Sequence, residues 1–209
     1  MLGRWNGTHR FWSWFAANRE RIERMQMHAR ASSGLSEEGA VVLDELHDRL
    51  QRYNKLVHPF GGIAADGRFE LIFTAEGAPA GFPAIFQLVK AAPKLDNWRF
   101  IPLKPRMSVE GVAATDKVKL DTARMGFHLN RGHRPAALVL LIDEDPTEAW
   151  EHYQFLGQMI AMTLLGEHDF AKGVGACAVV NKGRFAERWG HEGQPLSELC
   201  QALPPMTVN

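Results

Sequence analysis

Apolar positions along this chain follow two rhythms, one of helical period and one of strand period. Phe11, Phe15, Ile22 and Met25 recur at helical spacing with Trp14 beside them, which predicts a helix over Arg10 to Met27 with Thr8 as its N-cap. Ala31-Ser32-Ser33-Gly34 breaks it. Ser36 followed by Glu37 and Glu38 opens a second helix with acids where the macrodipole favours them, and Val42, Leu46, Leu50 and Tyr53 form its stripe. The stretch from His58-Pro59 to Asp66-Gly67 reads as a loop. Phe69 to Thr74 is a β-favouring run. Phe82, Ile85, Phe86 and Val89 give a narrow helical stripe that Pro93 ends, and Trp98 to Leu103 is a second strand. Strand, crossover helix and strand of this length form a parallel unit.

Further on, Val118 and Leu120 alternate in one phase, and Ala123, Met125, Phe127 and Leu129 in the other. The slip at Asp121-Thr122 predicts a bulge or two short strands. Ala136 to Ile142 is near-continuously apolar, as a central strand is, and a short turn pairs it with the preceding strand as a hairpin. Asp145-Pro146 starts a long helix with the stripe Ala149, Tyr153, Leu156, Ile160 and Leu164, ending near Gly166. Val174 to Val180 is a last strand, and Leu196 to Leu203 a short helix stopped by Pro204-Pro205. The order α-α-β-α-β-β-β-α-β-α predicts an α+β fold. It would hold a mixed sheet of about five strands with helices mainly on one face, and a ferredoxin-like core behind two N-terminal helices is one way to wind it. The length prior gives one domain over 1–209, with a helical pair at 8–57 and a sheet-containing core at 68–209.

Charge narrows the function classes. Lys plus Arg and Asp plus Glu both total 24, so the basic excess of a general nucleic-acid binder is missing. Trp98, Arg99, Lys104 and Arg106 gather aromatic and basic residues at one strand end, a pattern that fits a charge-protected sheet edge better than an RNA platform. Cys177 and Cys200 lack CxxC spacing, which leaves zinc and redox dithiol sites unsupported. The first ten residues show no apolar signal segment, and the longest apolar run, Ala136 to Ile142, is too short for a bilayer. The expectation is a cytoplasmic protein without membrane attachment.

Several segments resemble a family of uncharacterised bacterial proteins, a domain of unknown function. They are the aromatic helix Phe11-Trp12-Ser13-Trp14-Phe15 with Asn18, the segment Glu70-Leu71-Ile72-Phe73-Thr74-Ala75-Glu76-Gly77, the run from Ala91-Ala92-Pro93 through Trp98-Arg99 to Pro105-Arg106, and the helix end Leu164-Leu165-Gly166-Glu167. The resemblance covers most of the chain. It implies no established activity and transfers no catalytic residue.

The strongest chemical cluster is Gly166-Glu167-His168-Asp169, three proton carriers or ligands where the late helix gives way to a loop. His152 lies sixteen residues earlier, about 24 Å along a straight helix, so it cannot share a metal with His168 there; partners would have to come from His128 or His133. The bland alternative is a helix C-terminus whose dipole His168 stabilises. No Gly-x-Ser-x-Gly and no dinucleotide loop occurs. No catalytic residue, metal ligand or cofactor is therefore assigned. The candidate ligand-binding residues are Glu167, His168, Asp169, Arg99 and Arg106. Two readings stand: a non-enzymatic binding or regulatory protein acting through a protein partner or as a homo-oligomer, with six tryptophans available for contacts, and a small hydrolase or metal-binding enzyme centred on Glu167, His168 and Asp169.

Overall fold

The structure, a computed structural model, describes residues 2–32, 34–132 and 134–206, with side chains described from Gly7 onward. The class is α+β. The chain divides into two compact units, Met1–Lys104 and Pro105–Asn209, and the strands among the described residues form three sheets where the sequence suggested one of about five strands. The helical pair belongs to the first unit together with the first sheet, and the larger sheet belongs to the second.

In the N-terminal unit, α1 (Leu2–Ser32) and α2 (Glu37–Tyr53) pack against a three-stranded sheet in the order β1-β2-β3. Helix α1 begins well before the expected Arg10, so Thr8 lies buried inside it. Ser36 caps α2 as anticipated, accepting the Gly39 amide at 3.0 Å. Strand β1 (His58–Ile63) occupies the expected loop and pairs antiparallel with β2 (Phe69–Thr74). Helix α3 (Phe82–Lys90) then leads to β3 (Trp98–Pro102), parallel to β2 as predicted. Phe11, Trp12 and Phe15 turn inward onto Phe73, Trp98 and Phe100, with ring centroids 4.6 to 5.8 Å apart in edge contacts. Each such ring contributes roughly 2 kcal/mol through burial. The Trp12 Nε1 donates to the Leu88 carbonyl at 3.0 Å, so both its apolar body and its polar tip are satisfied.

In the C-terminal unit, β4 (Val112–Ala114) and β5 (Lys119–Asp121) form a two-stranded ribbon. A 3₁₀ turn at Thr122–Arg124 separates β5 from β6 (Gly126–Asn130), so the phase slip resolves as two short strands. Strands β6 and β7 (Ala136–Ile142) make the expected hairpin. A 3₁₀ turn at Pro146–Ala149 leads into α4 (Trp150–Leu165), followed by α5 (Glu167–Gly173), β8 (Val174–Asn181), α6 (Lys182–Trp189), β9 (Gln194–Pro195) and α7 (Leu199–Ala202). The sheet order is β8-β7-β6-β9, which puts the apolar β7 in the interior. Helix α4 covers it through Leu156, Ile160 and Leu165. Among the described residues, no helix is long and apolar enough to cross a membrane.

Candidate functional site

Glu167, His168 and Asp169 do not lie in a loop or at a helix C-terminus. Gly166 takes φ of 74°, a left-handed value that suits glycine, and this swivel stops α4 and starts α5 at once. The three residues therefore form the first turn of a new helix, where acids are favoured and a histidine has no negative dipole end to stabilise. Glu167 is fully buried.

Asp169 is the hub of this turn. Its Oδ1 lies 3.0 Å from His168 Nδ1 and accepts the Met206 amide at 3.2 Å. Its Oδ2 accepts from Arg106 Nη2 at 2.8 Å and Nε at 3.2 Å. The same guanidinium donates to the carbonyls of Leu203 at 2.7 Å and Cys200 at 3.3 Å. Burial works to raise the Asp169 carboxyl, but the hydrogen bonds from His168, Arg106 and the Met206 amide outweigh it and hold the group below the usual carboxylate range. Four of the five candidate residues thus fall in one neighbourhood, and two of them, Arg106 and Asp169, are joined to each other and to the last helical turn of the unit.

Arg99 belongs to the N-terminal unit. It pairs with Asp66 at 2.6 Å and with Glu70 at 3.1 Å, its register partner on β2. The neighbouring basic and aromatic residues are also engaged there. Trp98 is buried and donates to Glu23 Oε1 at 2.8 Å, and Lys104 Nζ sits 5.1 Å from the centre of the Phe60 ring.

Among the described residues, the other histidines do not complete a ligand set. His152 faces Thr115 Oγ1 at 3.3 Å and Asp116 at 3.6 Å. His128 lies among Phe185, Trp189 and His191. His133 falls outside the described residues. Among the described residues, no group of three or more His, Cys, Asp or Glu side chains is arranged to hold a metal ion.

A feature that sequence reasoning missed is a cavity of about 560 Å³ in the C-terminal unit, lined by Arg124, Met125, Asp143, Lys182, Gly193 and Gln194 among others. Asp143 binds Lys182 Nζ at 2.9 Å and Arg124 Nη2 at 2.6 Å, and Lys182 also donates to the Arg124 carbonyl. The hydrogen bond from Lys182, aided by its charge and by Arg124, keeps the Asp143 carboxyl low against the opposing effect of burial. Helix α6, which carries Lys182, was not foreseen either. Its cap is Asn181, whose Oδ1 accepts the Arg184 amide at 3.1 Å, and its stop is Gly190 at φ 73°. An Asn-x-x-Arg run closed by Gly is the signal that would have found it. No family model matches the chain, and no curated protein or solved structure matches it.

Proposed function

We propose that this protein works by binding, through contacts with another protein or a second copy of itself, and not by catalysis. One observation carries the reading: in the C-terminal unit Trp150, Phe155 and Trp189 expose 47%, 57% and 52% of their surface while the candidate polar residues are engaged internally. Large aromatics left in water are enriched at contact surfaces, where they supply most of the binding energy. The polar chemistry points the same way. Asp169 holds Arg106 and the Met206 amide, and Asp143 holds Lys182 and Arg124, so neither carboxylate stands ready as a general base.

The test places a photo-crosslinking amino acid at position 155, at 189 and, as a control, at the exposed Lys117. Illumination in the producing cells is expected to give discrete adducts from 155 or 189 and none from 117. An adduct of twice the chain mass identifies a second copy, and any other discrete mass a different protein. Absence of adducts from both aromatic positions overturns the reading.

A further inference from the structure

The N-terminal unit has a cavity of its own. About 450 Å³ of space lies between α1, α2 and β1, within the size range of small-molecule sites. The buried part of its wall is apolar: Met25 of α1, Leu46 of α2 and Leu71 of β2 all line it and are shielded from solvent. Leu43 and Ile63, half-buried, extend that surface outward. Arg30, in the last turn of α1, and Leu35 line it too and are exposed, so the cavity opens to solvent on their side.

The charge of this wall has one sign. Among the described residues lining the cavity, Arg30 is the single ionised side chain, and it makes no ion pair with any described residue. Standing at the mouth, it keeps its charge in water at no desolvation cost. The interior behaves differently. Aliphatic surface that leaves water for the wall of Met25, Leu46 and Leu71 is stabilised in proportion to its area. The pliable Met25 side chain follows the contour of a flexible chain better than a rigid ring would.

We propose that this cavity binds the monomeric anion of a single-chain aliphatic carboxylic acid of medium length, with its tail on the buried apolar wall and its carboxylate at the mouth beside Arg30. The division of the wall sets each part of the ligand. The buried residues select an aliphatic chain. The unpaired cation at the opening selects an anionic head that remains partly in water. A neutral amphiphile leaves Arg30 unused, and a cationic one meets repulsion there. The site lies in the N-terminal unit and is independent of the protein-contact reading, which concerns the other unit.

Calorimetric titration of the full chain with octanoate, decanoate and decyltrimethylammonium, all below their micelle concentrations, tests it. Decanoate is expected to bind roughly tenfold more tightly than octanoate, because its tail buries two further methylenes. Decyltrimethylammonium carries a tail of similar length and the opposite charge, and decanoate is expected to bind several-fold more tightly than it does. Arg30→Glu is expected to reverse that charge preference. Ala29 also lines the cavity, and Ala29→Phe is expected to block decanoate by filling the space. Circular dichroism and thermal unfolding check that each variant is folded, and the comparison of the three ligands on the native chain needs no variant. No binding of decanoate up to about 1 mM, equal affinity for octanoate and decanoate, no preference for the anion over the cation on the native chain, or unchanged binding to folded Ala29→Phe each overturns the proposal.

Discussion

Arg106 and Asp169 lie 63 positions apart in sequence and meet with Nη2 2.8 Å from Oδ2. Around this pair the segment after β3, the first turn of α5 and the segment 200–206 are fastened together, because Arg106 also donates to Cys200 and Leu203 and Asp169 accepts the Met206 amide. The side chains are 24% and 13% exposed, so solvent screens them only in part.

Removing one partner is therefore expected to be costly. Arg106→Ala strands a mostly buried carboxylate and should destabilise by about 2 kcal/mol. Chemical denaturation measures the loss, and hydrogen exchange should show the amides of 199–206 opening first. The double variant Arg106→Ala with Asp169→Ala should lose less than the sum of the singles, since neither charge is then left alone. The pH dependence has a definite sign. Asp169 has a folded pKa below its unfolded value near 4, so its contribution is present above pH 4 and disappears as pH falls through the folded value. Asp169→Asn should flatten that acid limb.

Periodicity was enough to find α2, β2, α3, β3, the β6–β7 hairpin, α4 and β8, because each carries a stripe or run long enough to outweigh local composition. It missed β1 for a physical reason. Pro59, Gly61 and Gly62 are depleted in strands, yet β1 sits at a sheet edge where proline is tolerated, and a Cβ at Gly61 would come 2.2 Å from the Glu70 carbonyl oxygen. The division into two units was hidden because nothing in Lys104-Pro105-Arg106 looks like a linker. Glu167, His168 and Asp169 were visible as a cluster, but their place at the start of a helix depends on the single swivel at Gly166. The two cavities were invisible: residues 25 to 71 line one and residues 123 to 195 the other, and no local spacing relates them.

Gly157 lets α4 lie directly against β7 and β8. A Cβ there would stand 2.3 Å from Val179 Cγ2 and 3.1 Å from Leu140 Cδ1. Gly157→Ala should gain helix propensity yet still lose about 1–3 kcal/mol to overpacking. Thermal unfolding reads the loss. Adding Val179→Ala should recover part of it, and a Gly157→Ala variant more stable than the parent would show that the contact yields easily.

Cys177 should behave as an inert thiol. Desolvation on β8 pushes it up to about 12, against an ordinary value of 9.0. At pH 8 its thiolate fraction falls by roughly a thousandfold relative to the unfolded chain. Iodoacetamide labelling followed by peptide mass mapping should leave Cys177 unmodified in the native protein and label it fully in denaturant. Rapid native labelling would place the thiol in a polar, accessible setting instead.

His128 provides the last test, because its surroundings leave the proton few favourable positions. On β6 its ring lies 5.3 Å from Phe185, 5.9 Å from Trp189 and 5.0 Å from His191 between centroids. Burial disfavours the charged imidazolium first, and a positive His191 adds repulsion, so the His128 pKa is lowered from the ordinary 6.5. The unfolded chain takes up this proton from about pH 6.5 downward, whereas the native protein does so only at lower pH. Between the two values the unfolded state binds more protons, so stability falls as pH drops below about 6.5 and levels off once the native imidazole is also protonated. Imidazole proton resonances should show His128 titrating below 6.5. His191→Gln should move that midpoint part of the way back while burial keeps it low. His128→Gln should remove the corresponding slope from the stability profile. A His128 midpoint at or above 6.5 would mean that the aromatic pocket is wet and that the α6 side of this unit is more open than its packing indicates.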